Sequence, residues 1–264
     1  LDLIARSGVR ALRVSIGWDG VEPQDDVFDF AFWDAFMDAA SRRGVRVVPY
    51  VAYTPAWAAT PSDAEHWRRP PRDVAEFREL MATLARRYQS HVQSWELWNE
   101  PDNREYWLGD ESTFVALLAA GAAGVREGAP DALRVFGGLA GRVDFLEATF
   151  ALGAGSHVDI VNAHAYFETW NPEPMETLPR YLDEIDAVTT RHGGRKPVWL
   201  AEVGYSDHRG GAQVSHFVGA RHAFEHTPPF QAAMLVRTVA LALAHPSPRL
   251  FAWYELRDLP AGEA

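Results

Sequence analysis

Two hydrophobic rhythms alternate along the chain. Short apolar or partly alternating runs, as in buried strands, are followed by longer segments with apolar residues three or four positions apart, the spacing of one helix face. Strands are predicted over residues 11–18 (Ala11-Leu12-Arg13-Val14-Ser15-Ile16-Gly17-Trp18), 45–53, 92–100, 133–137, 158–166, 197–202 and 250–255. Phe32, Trp33, Phe36, Met37 and Ala40 predict a helix ended by Gly44. Val74, Phe77, Leu80, Met81, Leu84 and Tyr88 form the inner face of another, with Asp73 as its N-cap. Further helices are predicted over about 112–127 with Ser112 as cap, over 143–152 and 178–192, and over 230–244 behind Pro228 and Pro229. Residues 1–7 read as the tail of a helix closed by Gly8. Thr60–Arg72, with Pro61, Pro70 and Pro71, and the Gly- and His-rich Ser206–His226 read as loops.

Regular alternation of strand and helix predicts a parallel sheet. Seven strands and roughly seven helices are counted, where a closed barrel has eight of each. The expected fold is therefore a (β/α)8 TIM barrel in one catalytic domain over residues 1–264. Its first strand would precede residue 1 and its last helix would follow residue 264. The alternative, an open doubly wound sheet, usually carries a Gly-rich phosphate turn after its first strand, and the sequence has none.

Composition narrows the partners. The 264 residues are 47% hydrophobic and 23% charged, ordinary for a globular chain, with a net charge of −11 that disfavours nucleic acid and anionic membrane. No apolar run reaches the roughly 18 residues of a membrane span. Cysteine is absent, which removes disulfides and Cys-based zinc sites, and neither metal nor cofactor is expected. Aromatic residues are the outlier at 12%, with ten Trp, and serve either to fill a core or to stack on flat sugar faces.

The candidate chemistry lies in two strand ends. Trp95-Glu96-Leu97-Trp98-Asn99-Glu100-Pro101-Asp102 reads as a strand stopped by proline, which holds a carboxylic acid where strand gives way to loop. About a hundred residues on, Pro197-Val198-Trp199-Leu200-Ala201-Glu202-Val203-Gly204-Tyr205 ends near a second carboxylate. In a parallel barrel such ends carry the chemistry, and two carboxylates there suit glycoside hydrolysis. Arg13, unusual in a barrel strand, is either an internal ion pair or a cation that keeps a catalytic carboxylate charged. Glu96 is its expected internal partner.

Trp98-Asn99-Glu100-Pro101 resembles the acid/base motif of the retaining glycoside hydrolases on TIM barrels, and within that clan the chain most resembles glycoside hydrolase family 39 and cellulase-like relatives. Trp18…Val21-Glu22-Pro23…Phe28-Asp29-Phe30, Tyr53-Thr54-Pro55-Ala56-Trp57, Glu202-Val203-Gly204-Tyr205 and Trp253-Tyr254-Glu255-Leu256-Arg257-Asp258 extend the likeness over almost the whole chain. The resemblance implies cleavage of β-linked glycosides through a covalent glycosyl-enzyme, with Glu100 as acid/base and Glu202 as nucleophile. It further implies that Asn99 bonds the sugar 2-hydroxyl and that Arg13 and Tyr166 hold Glu202 charged. His164 and Tyr166 match the clan's His-x-Tyr strand, Trp253 the platform under the sugar, and Trp18, Tyr53, Trp57 and Trp98 line the cleft. The partner would be a carbohydrate, in a secreted or envelope location. The loop with His208, Arg209, His216, Arg221, His222 and His226 either closes the cleft, binds an anionic sugar or is a surface excursion. Two other classes fit less well. A non-catalytic carbohydrate-binding barrel would keep the aromatics but lose one of the two glutamates, and both are present. A metal-dependent hydrolase, using His164, Glu202 and another His, would show a His-x-His or similar cluster at a strand end, and only single histidines appear at the strands.

Overall fold

The computed structural model describes residues 1–206 and 226–256, so most of the predicted His-rich loop, with His208, Arg209, His216, Arg221 and His222, and also Arg257 and Asp258, lie outside the described residues. Within them the apolar runs become seven strands: β1 (Ala11–Gly17), β2 (Arg46–Ala52), β3 (Ser94–Asn99), β4 (Leu133–Leu139), β5 (Ile160–Ala165), β6 (Val198–Val203) and β7 (Pro248–Trp253). All pair in parallel, in chain order. Helices α1 (Asp2–Arg6), α2 (Trp18–Val21), α3 (Ala31–Arg42), α4 (Val74–Tyr88), α5 (Glu111–Gly128), α6 (Val143–Ala151), α7 (Leu178–Arg191) and α8 (Pro228–Ala244) alternate with them. This is seven-eighths of a (β/α)8 barrel, open between β7 and β1.

Most element ends fall within two residues of the sequence reading, and Asp73 caps α4 as expected, accepting from the Ala75 N–H. The α5 cap is a correction. Asp110, not Ser112, ends the chain's extended run and accepts from Thr113 N at 2.8 Å; the Ser112 and Thr113 hydroxyls donate to the same carboxylate. An Asp two residues upstream can present its carboxylate to the free N–H groups of the first turn, whereas Ser112 is already inside the helix.

Two cores follow from strand alternation. The larger lies between sheet and helices and holds Phe77, Leu80, Leu84, Leu97, Phe114, Leu118, Phe136, Leu182, Ile185 and Leu200. The smaller fills the barrel: Val48, Val135, Ile160, Trp199 and Ala201, with Ala11 and Leu250 against them. All but Ala201 come from the first halves of their strands. Moving toward the strand ends, the interior turns polar, with Arg13, Glu96, Asn162 and His164. The barrel is therefore plugged by apolar side chains at one end and loaded with ionisable ones at the other.

Helices α4 and α5 touch backbone to backbone. A Cβ on Gly124 would come 2.2 Å from the Arg78 carbonyl oxygen, and one on Gly128 2.3 Å from that of Ala82. Helix propensity alone would favour alanine by about 1 kcal/mol, but this overlap is with rigid backbone. Gly124→Ala is expected to destabilise the fold by about 3 kcal/mol, read as a lower urea midpoint at unchanged slope.

Candidate active site

Strict alternation would leave several site residues pointing the wrong way, and three irregularities correct this. In β6 the stretch Leu200–Val203 carries one residue more than the stretches it pairs with on β5 and β7. Trp199 and Ala201 face the barrel interior, Leu200 and Val203 the helices. The bulge turns Glu202 inward as well. In β3, Trp98 takes a left-handed φ of +81°, which carries its indole outward against Phe77 and Trp107 and lets both Glu96 and Asn99 face Arg13. Tyr53 and Glu100 are also left-handed, at φ +76° and +45°. Such backbone costs roughly 1–3 kcal/mol per residue and gathers at functional sites. In β4 the Gly137-Gly138 segment lies in another register shift, against β5. A Cβ on Gly138 would lie 2.0 Å from His164 Nε2, so glycine is what admits the imidazole.

Arg13 organises the inner layer. Its fork donates to both Glu96 oxygens at 2.8 and 2.9 Å, to Glu202 Oε2 at 2.7 Å and to Asn99 Oδ1 at 2.8 Å, while its guanidinium stacks on Tyr50, 4.2 Å from the ring centroid. Glu96 is fully buried and also accepts from Gly138 N and Asn162 Nδ2. Arg13 thus pairs with two carboxylates at once, the internal Glu96 and the strand-end Glu202. The nearby carboxylates outweigh burial and keep its pKa above the ordinary arginine range, so it is charged at any working pH.

The two strand-end glutamates meet at the mouth. Glu100, His164 and Glu202 each place a polar side-chain atom within 4.8 Å of the others, and the two carboxyl side chains keep 11% and 16% exposure. Tyr166 donates to Glu202 Oε1 at 2.6 Å, opposite Arg13 on Oε2. Burial would raise the Glu202 pKa, but the charges of His164 and Arg13 and the Tyr166 hydrogen bond hold it below the usual carboxylate range. Glu100 accepts from Asn103 Nδ2 at 3.0 Å on Oε2, and His164 Nδ1 lies 2.8 Å from Oε1. Burial and Arg13 pull the His164 pKa down, yet Glu202 and the bond to Glu100 carry it upward overall. The three-residue cluster has the spacing of a cation site. Every carboxylate oxygen in it is already engaged, however, and the Arg13 cation touches Glu202, so a divalent ion would have to displace an arginine.

The aromatic residues sort differently from expectation. Trp18 and Trp98 are fully buried, the first between Trp57 and Phe77 with its N–H on Glu22, the second with its N–H on the Tyr106 carbonyl. Neither has a ring face for a ligand; both fill core. Trp57 is half-buried, edge-on to Trp18, with its N–H donating to the Glu22 carbonyl. Tyr53 does reach the site, its hydroxyl accepting from Asn99 Nδ2 at 3.2 Å. Trp253 is a further correction. Leu250 faces the barrel and Phe251 the helices, so alternation sends Trp253 outward, stacked on Phe251. Its neighbour Tyr254 stands at the mouth instead, 47% exposed and edge-on to Tyr166 at 6.4 Å. Counting by twos from Leu250 finds it. Asn103, Trp67 and Tyr106 were also missed; Asn103 and Tyr106 sit on a loop and Trp67 on a single 3-10 turn, His66–Arg68, where no periodicity marks them.

Comparison with known proteins places this architecture. A family model, Glycosyl hydrolases family 39, matches residues 10–193. A family 39 glycoside hydrolase from the gut symbiont Bacteroides cellulosilyticus WH2 is 21% identical with a TM-score of 0.75, over 99% of this chain and 54% of that one. A family 39 beta-xylosidase from Caulobacter crescentus is 17% identical, TM-score 0.68, over 96% and 56%. The exo-beta-1,4-mannosidase Op5Man5 from Opitutaceae bacterium strain TAV5 is 20% identical, TM-score 0.69, over 98% and 48%. At these identities the likeness speaks for the fold, and the chain spans about half the length of the solved structures it matches. The family match covers more than half of the sequence, including β3 with Glu100 and β5 with His164 and Tyr166, and the chain belongs to glycosyl hydrolases family 39.

Proposed function

We propose that the chain is a retaining glycoside hydrolase that cleaves β-linked glycosides, with Glu202 as nucleophile and Glu100 as acid/base. The observation that carries this is the approach of the Glu100 and Glu202 carboxyls within 4.8 Å at a polar barrel mouth. Retaining enzymes hold their carboxyls about 5–5.5 Å apart, whereas inverting enzymes leave about 6.5–9.5 Å for a water. Family membership supports the same reading.

The division of labour follows from the partners. Glu202, held as an anion by Arg13 and Tyr166, forms a bond to the anomeric carbon as the bond to the leaving oxygen breaks. Glu100 gives its proton to that oxygen. In the second step Glu100 takes a proton from water, the water oxygen bonds the anomeric carbon, and Glu202 departs. Asn99 has its carbonyl fixed by Arg13 and one amide hydrogen on Tyr53, which leaves one hydrogen for a sugar hydroxyl. Tyr254 takes the platform role first given to Trp253.

Trapping tests the reading. A 2-deoxy-2-fluoroglycosyl fluoride of the correct sugar should inactivate the chain and add one glycosyl mass to the peptide containing Glu202. Steady hydrolysis of the parent glycoside with no labelled peptide would contradict the covalent route.

A further inference from the structure

Three rings outside the glutamate cluster share a distinctive placement. Tyr53 at the end of β2, Trp67 on the loop after it and Tyr106 on the loop after β3 pack on one another, with centroids 5.4 Å apart for Tyr53–Trp67, 6.2 Å for Trp67–Tyr106 and 6.3 Å for Tyr53–Tyr106. Core rings on the same elements, Trp98 and Trp107, are at most 1% exposed, whereas these three stay partly open. Their backbone is fixed before any ligand arrives. Thr54 N donates to the Trp67 carbonyl at 3.0 Å, Thr54 Oγ1 to that of Arg69 at 2.5 Å, Leu108 N to that of Arg68 at 2.8 Å, and Trp98 Nε1 to that of Tyr106 at 3.2 Å.

The trio is tied to the neighbours of Glu100. Tyr106 N donates to the Asn103 carbonyl, and the Asn103 side chain donates to Glu100. Tyr53 holds Asn99, the residue next to Glu100. Glu202 has its own neighbours, Tyr166 and Tyr254, on the strands across the mouth. An acid that protonates the leaving oxygen stands beside whatever that oxygen carries. We propose that Tyr53, Trp67 and Tyr106 form a leaving-group subsite that binds the sugar ring on the departing side of the scissile bond, so that the chain acts on oligosaccharides or polysaccharide in preference to simple glycosides. The claim rests on the assignment of Glu100 as acid. Apolar ring faces with hydroxyls at their edges match the C–H faces and equatorial hydroxyls of a β-linked pyranose. The Tyr106 phenol, pushed up to about 12 by burial and by the charges of Glu100 and Glu202, lies within the field of both.

The test uses the full chain with two probes of the same sugar: a β-glycosyl fluoride, whose leaving group has no ring, and β-linked oligosaccharides of two to about six units. A panel of gluco, galacto, manno, xylo and glucurono probes finds the sugar. The readout is the ratio of kcat/KM for oligosaccharide over fluoride. Trp67→Ala and Tyr106→Ala should each lower that ratio about tenfold, and Tyr106→Phe, which keeps the ring, should lie near the parent. A ratio that stays within about twofold of the parent in both alanine variants, with the fluoride still turned over, would overturn the subsite and leave the glycosidase reading intact. A parent chain that turns over no probe would overturn both.

Discussion

Replacing Glu202 by glycine is expected to lower kcat by on the order of 10⁵-fold on a β-glycoside, and sodium azide to restore turnover with an α-glycosyl azide as product. The substitution removes the carboxylate and opens a space of its size at the mouth. Azide fits there and attacks the anomeric carbon from the face where Glu202 stood, while Glu100, still bonded by Asn103 and beside His164, supplies the proton to the leaving oxygen. One displacement without a second gives inversion, hence the α product. If the roles of the two glutamates were exchanged, azide would instead intercept a glycosyl-enzyme and yield the β-azide. The stereochemistry of the product, by proton NMR of the anomeric signal, therefore settles which carboxylate attacks. A β-azide from the Glu202→Gly protein would reverse the assignment.

The limits of the sequence follow from the same geometry. Strand and helix periodicity sufficed to lay out the barrel, because α4 and α7 present unbroken apolar faces and the strands are bounded by Gly, Pro and charged residues. The two carboxylates that meet at the mouth, Glu100 and Glu202, were legible because a Glu at a strand end in a parallel barrel has few structural uses. What periodicity could not supply was direction. Glu202 faces inward only because β6 carries an extra residue, and Trp98 faces outward only because its φ is +81°. Neither bulge nor left-handed residue has a marker in the local sequence; β-branched or aromatic neighbours would suit a regular strand equally well. The mistake over Trp253 was of a different kind. A large aromatic at a strand end drew the assignment, though alternation from Leu250 already pointed to Tyr254. Tyr106 meets Tyr53 and Trp67 only after two loops fold together, contacts across 53 and 39 positions that no window of sequence contains.

Arg13→Gln is expected to have the second largest effect, and on two separable readouts. Arg13 spans fully buried Glu96 and the nucleophile, so its loss leaves an uncompensated buried carboxylate and should cost about 3–5 kcal/mol of stability. It also removes one of the charges that hold the Glu202 pKa below its usual range. The sign is fixed. A depressed carboxylate pKa keeps the nucleophile ionised, and contributes stability, above the unfolded value, and both are lost as pH falls through the folded value. Without Arg13 the pKa rises, so the acid limb of kcat/KM should move to higher pH by about one to three units. A second substitution separates the two effects. Glu96→Gln in the Arg13→Gln background removes the stranded charge, so stability should return in large part, while the acid limb should stay displaced because Glu202 still lacks its cation. Arg13→Lys, which keeps the charge but cannot reach Glu96, Asn99 and Glu202 at once, should restore the limb more than the rate. An acid limb that does not move in Arg13→Gln would show that Tyr166 and His164 alone set the charge of Glu202.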